Sequence, residues 1–231
     1  MKITKLNADS SWFWEIDGFK ILVDPWFSES QVDLHPWFSK QFHLDKQPNP
    51  SELPVPDFIF ISHPFTDHCD RTTLLQFSPA TPIVCLPNIA KKIKKWNHFN
   101  SFLTLEEAPF DISKVSLTTL LDLVHHAYLI KDAETSMVYA PHGTRKIQEG
   151  ISCSVLISTV TTYHLPFYLG GTVNLGLEST LALAKKLSVK TIVSTHDEQK
   201  KQQGLVARLS KRKFHASNQF VSLRVNERFE F

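Results

Sequence analysis

Three side chains able to bind a metal lie within six residues of one another in the first third of the chain. His63, Asp67 and His68 follow an apolar run at positions 58–61, which is typical of a short buried strand. Asp70 is then a suitable N-cap for a helix. The three side chains are therefore predicted on the loop at the carboxyl end of a strand, where open α/β sheets bind ligands. Two imidazoles and a carboxylate fit a metal such as zinc, which takes such ligands at about 2.0–2.2 Å.

The segment from His63 to His68 resembles the His-x-His-x-Asp-His signature of the metallo-β-lactamase fold hydrolases. Phe65 stands where that signature has its second histidine. The resemblance implies a four-layer αββα sandwich, within the α/β class, formed by residues 1–231 as one domain. The order of the predicted elements indicates by itself only a mixed α/β fold. Beyond the signature, strands are predicted at 82–86, 114–121, 124–130, 136–139, 153–158, 190–195 and 221–225, and helices at 89–96, 177–187 and 204–213.

Two further histidines follow predicted strands in the second half of the chain. His142 comes after the strand at 136–139, and His196 after the strand at 190–195. In the family, the first of these places carries an aspartate that bridges two metals, and the second carries a histidine. The resemblance therefore makes His142 the substitute for the bridging aspartate and His196 the last ligand. A carboxylate is suited to bridging two metals, whereas a neutral imidazole suits one.

The resemblance thus implies one metal site. Its expected ligands are Asp67, His68, His142 and His196. Phe65 cannot coordinate, and no third ligand for another metal is recognisable between positions 105 and 124. The expected cofactor is one zinc ion, or another divalent metal, lowering the pKa of its water from 15.7 toward about 7 for attack on an ester, lactone or phosphoester. The predicted catalytic residues are Asp67 and His63, the latter as a proton donor or hydrogen-bond partner.

The N-terminal part adds one candidate residue. Positions 2–6, 11–16 and 19–24 predict three antiparallel strands, the opening of the lactamase-like sandwich. Asp24 ends the third strand, and the resemblance places it behind the metal ligands. An aspartate before Pro25 is equally suited to starting a turn.

Residues 25–56 are rich in aromatic side chains and prolines, and they are predicted to form a long loop. Loops of this length inside a compact domain are functional or disordered, and the aromatic residues argue against disorder. Two roles remain open for this loop. It forms a lid or wall over the substrate, or it packs on the domain for stability alone.

Adjacent histidines at positions 125 and 126 lie on the predicted strand 124–130. Successive residues of a strand point to opposite faces, so at most one of the two can reach the site. Both are expected to be structural. Cys69, next to His68, is expected to be a packed residue rather than a ligand.

Composition limits the partners and the compartment. The net charge of +2, with 21% charged residues, gives no basic face for a phosphate backbone. No stretch has the order of a signal peptide or the length of a membrane span. Three cysteines without paired spacing predict reduced thiols. We expect a cytoplasmic protein that acts on a small molecule, and not on nucleic acid or a membrane; its oligomeric state is open.

A non-enzymatic function is the alternative. Chains of this fold that have lost ligand positions can serve as scaffolds or binding modules, and positions 65 and 142 differ from the family pattern here. In a scaffold the histidines would form a hydrogen-bonded polar core. A chelator would then leave the stability unchanged, whereas a bound metal stabilises the fold by mass action.

Overall fold

The fold is described by a computed structural model that covers residues 1–119, 122–197, 199–216 and 218–231. Its strands, numbered in chain order, are β1 (Lys2–Lys5), β2 (Trp12–Ile16), β3 (Phe19–Val23), β4 (Ser30–Asp33), β5 (Ser39–Phe42), β6 (Phe58–Ile61), β7 (Ile83–Cys85), β8 (Phe102–Leu103), β9 (Asp111–Lys114), β10 (Tyr128–Lys131), β11 (Ser136–Ala140), β12 (Val155–Ser158), β13 (Thr162–His164), β14 (Thr172–Leu175), β15 (Thr191–Ser194), β16 (Lys201–Gln203), β17 (Lys211–Lys213) and β18 (Arg228–Glu230). The α-helices are α1 (Arg71–Leu74), α2 (Pro87–Lys94), α3 (Gly176–Lys186) and α4 (Leu205–Leu209), and 3-10 turns lie at Pro50–Glu52 and Phe167–Leu169.

The first large sheet has the strand order β18-β1-β2-β3-β6-β7-β8. β1, β2 and β3 are antiparallel neighbours, as predicted. β3, β6, β7 and β8 run parallel, so their carboxyl ends meet at one edge. Asp24, which follows β3, therefore lies beside the loop that carries His63, Asp67 and His68.

The second large sheet has the order β15-β12-β11-β10-β9, in which β11, β12 and β15 are parallel. Ala140 at the end of β11 is level with Ser158, and Ser158 is level with Ser194 at the end of β15. His142 and His196 each follow two residues later. The two histidines therefore leave the sheet at the same height.

The two sheets face each other across an aromatic core. The rings of Trp14 and Tyr139 meet edge to face with centroids 5.2 Å apart, and those of Phe60 and Tyr128 at 5.1 Å. α1 and α2 cover the outer face of the first sheet with Leu74, Ile89 and Ile93, and α3 covers the second with Leu183 and Ala184. This αββα sandwich confirms the predicted fold class. Among the described helices, none has the length and apolar composition needed to cross a membrane.

Two small sheets lie outside the sandwich, and neither was predicted. One has the order β16-β5-β4, and its hairpin occupies the part of the chain expected to be an unbroken loop at 25–56. The other has the order β14-β13-β17. Both bring together segments that are short and weakly apolar, so that their pairing depends on tertiary contacts rather than on local pattern.

Four of the predicted elements differ at the C-terminal side and in the middle of the chain. The strand predicted at 124–130 begins only at Tyr128, so that His125 and His126 precede it. The helix predicted at 204–213 ends at Leu209, and Lys211–Lys213 continues as a strand. The strand predicted at 221–225 is reduced to a single bridge from Val221 to Val193, and β18 pairs with β1 instead. Of the strand predicted at 114–121, only Lys114 lies in a strand, and positions 120 and 121 lie outside the described residues.

Candidate metal centre

The loops after β6, β11 and β15 bring their polar side chains to one point between the sheets. Two overlapping groups have ligand atoms that all lie within 4.8 Å of one another. One consists of His63, His68 and His142, and the other of Asp67, His68 and His196. The structure therefore places all four predicted ligands in one cluster, with His63 adjoining it.

His68 is held from behind by Asp24. Its Nδ1 lies 2.8 Å from Asp24 Oδ2, and because a carboxylate oxygen only accepts, Nδ1 donates. Asp24 also accepts hydrogen bonds from the Tyr139 hydroxyl at 2.8 Å and the Ser62 backbone N–H at 2.7 Å. The ring of His68 is thereby fixed, and Nε2 presents its lone pair to the cluster. Carboxylates behind metal-binding imidazoles have this role.

His142 is held in the same way by a neutral partner. Its Nδ1 donates to Asn174 Oδ1 at 2.8 Å, and the Asn174 amide donates to Thr159 and to the backbone carbonyl of His196. The Nε2 atoms of His142 and His68 lie 2.9 Å apart. Because the Nδ1–H group of each ring donates outward, two neutral rings would face each other with the lone pairs of their Nε2 atoms. A proton or a metal cation between them removes that repulsion.

His196 lies between two carboxylates. Its Nδ1 is 2.5 Å from Asp9 Oδ1, and its Nε2 is 3.5 Å from Asp67 Oδ2. Asp9 in turn forms an ion pair of 2.6 Å with the Lys200 ammonium. The outer nitrogen of each of the three imidazoles therefore faces a polar partner, and each inner nitrogen faces the cluster.

Two residues of the centre adopt left-handed backbone conformations that are rare for side chains other than glycine. Asp24 has φ of 45° and His196 has φ of 57°, each just beyond the end of a strand. Such conformations cost about 1–3 kcal/mol and persist where the surrounding structure requires them, often at functional sites. The sharp turns direct both side chains toward the space between the sheets.

His63 differs from the other three imidazoles. Its Nε2 donates to the backbone carbonyl of Val124 at 2.8 Å, and its Nδ1 lies 2.7 Å from the Ser62 hydroxyl. Its ring stacks on His126 with a centroid distance of 5.3 Å. Both nitrogens of His63 are thus already in contact with protein groups. Both members of the adjacent pair adjoin the cluster, since His126 stacks on His63 and His125 lies near enough to His142 to help lower the pKa of that imidazole.

Burial and charge act in opposite directions on these imidazoles. Burial, reinforced by neighbouring imidazoles, lowers the pKa values of His63 and His142 well below their usual range. Burial also disfavours the charged form of His68, but the carboxylates of Asp24 and Asp67 outweigh it and raise the pKa of His68. Without a metal, a proton held by His68 therefore satisfies the lone pair of His142.

The donor set fits a divalent metal. Three imidazole nitrogens and one carboxylate oxygen are ligands that zinc and iron both accept. Cys69, although next to His68 in sequence, packs in the outer apolar layer of the first sheet. Burial raises the pKa of its thiol to about 12, so that the thiolate needed for metal binding is disfavoured.

A cavity of about 450 Å³ opens onto one side of the cluster. Asp67, His142 and His196 line its inner end. Residues from 31–41 form one wall, and residues from 163–173 form another. The central part of the 25–56 segment therefore borders the space through which a ligand reaches the cluster.

Three residues that support the cluster were missed by sequence reasoning. Asp9 lies in a turn after β1, where aspartate is common for local reasons. Asn174 lies in the short strand β14, and Lys200 pairs with Asp9 across most of the chain. The available signal was indirect, because a metal-binding histidine usually has a polar partner at its second nitrogen.

Comparison with known proteins agrees with the geometry. The family described as beta-lactamase superfamily domain matches residues 2–196. The chain belongs to this superfamily. Its departures at Phe65 and His142 are consistent with a divergent branch. Among curated proteins, no match to the chain is found.

Several solved structures share the superfamily fold. An isothiocyanate hydrolase from Delia radicum gut bacteria is 16% identical, with 100% of this chain and 99% of that chain covered and a TM-score of 0.72. A possible metal-dependent hydrolase from Veillonella parvula DSM 2008 is 14% identical, with 85% of each chain covered and a TM-score of 0.62. CmlA, a diiron β-hydroxylase from Streptomyces venezuelae, is 12% identical, with 84% of this chain and 44% of that chain covered and a TM-score of 0.60.

Proposed function

We propose that the protein is a hydrolase that uses one divalent metal ion, zinc, to cleave an ester, a lactone or a phosphoester. The observation that carries the proposal is the convergence of the donor atoms: those of Asp67, His68 and His196 lie within 4.8 Å of one another, and the Nε2 atom of His142 lies 2.9 Å from that of His68. Because the outer nitrogens of both rings donate to Asp24 and Asn174, the inner pair is arranged for a cation. Superfamily membership supports the same chemistry.

The residues that would hold the ion are Asp67, His68, His142 and His196. Zinc bound there would supply Lewis acidity and lower the pKa of a water molecule from 15.7 toward about 7. His63 is no ligand in this proposal, since its Nε2 donates to Val124. It acts instead as a hydrogen-bond partner that contacts Ser62, which donates to Asp24.

The chain's own contribution to hydrolysis is orientation and proton transfer. In the reaction the water oxygen bonds to the acyl carbon or phosphorus, the bond to the leaving oxygen breaks, and the water proton ends on that oxygen. Asp67 is the carboxylate placed to hold the proton in transit, because it lines the cavity and its side chain keeps 14% of its exposure. Nε2 of its neighbour His196 lies 3.5 Å from its Oδ2 atom.

A small-molecule substrate is part of the proposal. The walls of the cavity are mainly apolar, and the net charge of +2 gives little attraction for nucleic acid. The three cysteines are free and buried, which fits a reducing compartment and a cytoplasmic location.

Elemental analysis of protein purified without chelator tests the metal part directly. We expect close to one zinc per chain, and less than about half an equivalent would contradict the proposal, since a structural or catalytic site of this kind binds tightly. Removal of the metal by a chelator should lower the melting temperature, and re-addition of zinc should restore it. A scaffold would show neither metal nor chelator sensitivity.

Activity is tested with a panel of p-nitrophenyl esters, lactones, p-nitrophenyl phosphodiesters and an alkyl isothiocyanate. The last is included because of the isothiocyanate hydrolase that shares the fold. Turnover should be lost with the metal and should show a pH limb near the pKa of the activated water. Turnover of the isothiocyanate alone would retain the metal-dependent class but replace the ester chemistry.

A further inference from the structure

The two small sheets outside the sandwich enclose an apolar cluster of their own. It is separate from the three clusters that pack the sandwich. Its members are Phe38, Tyr163, Leu165, Leu169, Val173 and Val206. They come from the segment before β5, from the β13–β14 hairpin and from α4. This cluster is called the accessory cluster below.

Every member of the accessory cluster also lines the cavity that reaches the candidate metal centre. Protein interiors are packed so closely that voids larger than a water molecule are few. An apolar cluster formed for stability alone would close on itself. This one instead borders about 450 Å³ of open space, within the range of sites that bind small organic ligands.

The charged groups along the cavity outside the metal centre have contacts within the protein, and one of them, Asp33, accepts hydrogen bonds from the Thr66 and Ser39 hydroxyls. Lys200 pairs with Asp9 at 2.6 Å, and Lys92 donates to the backbone carbonyl of Pro64. The guanidinium of Arg212 lies 4.8 Å over the ring of Tyr163. The wall that remains for a ligand is therefore mainly apolar.

We infer that the substrate carries an apolar acyl or aryl group, which lies along the accessory cluster while its reacting bond lies at Asp67, His142 and His196. The placement of the reacting bond rests on the proposed hydrolase function. The placement of the apolar group rests only on the accessory cluster and the cavity. Specificity for chain length is then set by Phe38 and Leu169, which belong to the cluster from opposite walls.

Binding of a homologous series separates this inference from catalysis. Isothermal titration of the protein as purified with acetate, hexanoate and octanoate should show affinity rising about fourfold per methylene, the value for burial of each CH₂ group. Gluconate, which has the length of hexanoate but a hydroxylated chain, should bind at least tenfold more weakly than hexanoate. Equal affinities for hexanoate, octanoate and gluconate, or binding of none of them, would overturn the inference.

Filling the cavity gives a second test with a matched control. Leu169→Trp should weaken octanoate binding at least tenfold and leave acetate binding within twofold. Phe167→Trp changes the same 3-10 turn at a side chain that is 95% exposed and outside the cavity, and it should change neither. Equal loss of octanoate binding in both variants would contradict the role of the cavity.

Widening the cavity provides a test if the Trp variant does not fold. Phe38→Ala should shift the preference from octanoate toward decanoate by about fivefold, because it adds space at the end of the apolar wall. Leu44→Ala, at a side chain after β5 that is 61% exposed and outside the cavity, should leave the preference unchanged. An unchanged preference in the Phe38 variant would count against the inference.

The outcomes also separate the two proposals. A chain-length trend in binding without turnover of any panel substrate overturns the hydrolase function and leaves the apolar site standing. Turnover of the panel esters with equal kcat/KM from acetate to octanoate esters supports the hydrolase function and overturns the apolar site.

Discussion

The two sides of the histidine cluster differ in what the protein does with the second nitrogen of each ring. On the side of His68, His142 and His196, every outer nitrogen faces Asp24, Asn174 or Asp9, and every inner nitrogen faces the cluster. On the side of His63, both nitrogens contact Ser62 and Val124. We call these the open side and the closed side.

Two other residues of the closed side offer no ligand atom to the open side. Phe65 stands where the family signature has a histidine, and it lines the cavity. His126 stacks on His63 rather than facing the open side. The comparison teaches that the histidines of one cluster differ in whether a nitrogen faces its centre, and the contact of the outer nitrogen shows which rings are oriented in this way.

Loss of an imidazole on the open side should have the largest effect. His142→Ala removes an inner nitrogen and leaves Asn174 Oδ1 without its donor, so we expect zinc content to fall below about a tenth of an equivalent and hydrolysis to disappear. Elemental analysis and the ester assay measure this. His164→Ala, at an exposed histidine on β13, is the control. Retention of a full equivalent of metal would remove His142 from the ligand set.

A change behind the ligands should have an intermediate effect. Asp24→Asn weakens the acceptor for His68 and for Tyr139, and we expect zinc affinity to fall by about 10- to 100-fold. The buried donors that lose their acceptor should lower the free energy of unfolding by about 1–3 kcal/mol. Competition with a chromophoric chelator and urea unfolding measure the two quantities. Asp17→Asn, in the exposed turn between β2 and β3, should alter neither.

The closed side should determine part of the pH dependence of stability. Burial, with the charge of Lys114, lowers the pKa of His126 to about 4, whereas the unfolded chain binds the proton near 6.5. Because the folded pKa is depressed, stability is present above pH 6.5 and is lost as the pH falls toward 4.

Replacement of His126 separates its contribution from the rest of the pH dependence of stability. In His126→Gln the decline of the urea midpoint between pH 6.5 and pH 4 should be shallower than in the unchanged protein. His35→Gln, at an exposed histidine, should keep the original slope. If all three proteins decline in parallel, the titration of His126 is not part of the acid sensitivity.

The smallest effect is expected from restoring the signature on the closed side. Phe65→His supplies the missing imidazole, but His63 stays bound to Val124 and His142 occupies the place of the bridging aspartate. Metal content should therefore stay at one equivalent, as elemental analysis can measure at saturating zinc. A rise to two equivalents would show that Phe65 alone keeps the closed side from binding metal.

The sandwich was predictable because its signals are local and strong. The antiparallel opening strands and the apolar runs before His63, His142 and His196 all appear as strands. Because β11, β12 and β15 are parallel, β11 and β15 then end at the same level of the sheet. Residue type and position at a strand end are enough to nominate such side chains.

The supporting contacts were not predictable, because they join residues that are distant in the chain. Asp9 contacts His196 across most of the sequence, and Asn174 reaches His142 from a short hairpin that has no strong strand pattern. The hairpin at 30–42 was interpreted as a loop for the same reason, since its third strand comes from Lys201–Gln203. Local composition contains no information about a partner from the other end of the chain.

The bond that ties the first turn to the last strand of the second sheet has a consequence for how the protein acquires its final state. The Thr195 hydroxyl donates to the backbone carbonyl of Asp9, 186 residues earlier. Contacts of such sequence separation form slowly during folding. The surroundings of His196 are therefore completed only when these two distant parts of the chain have come together.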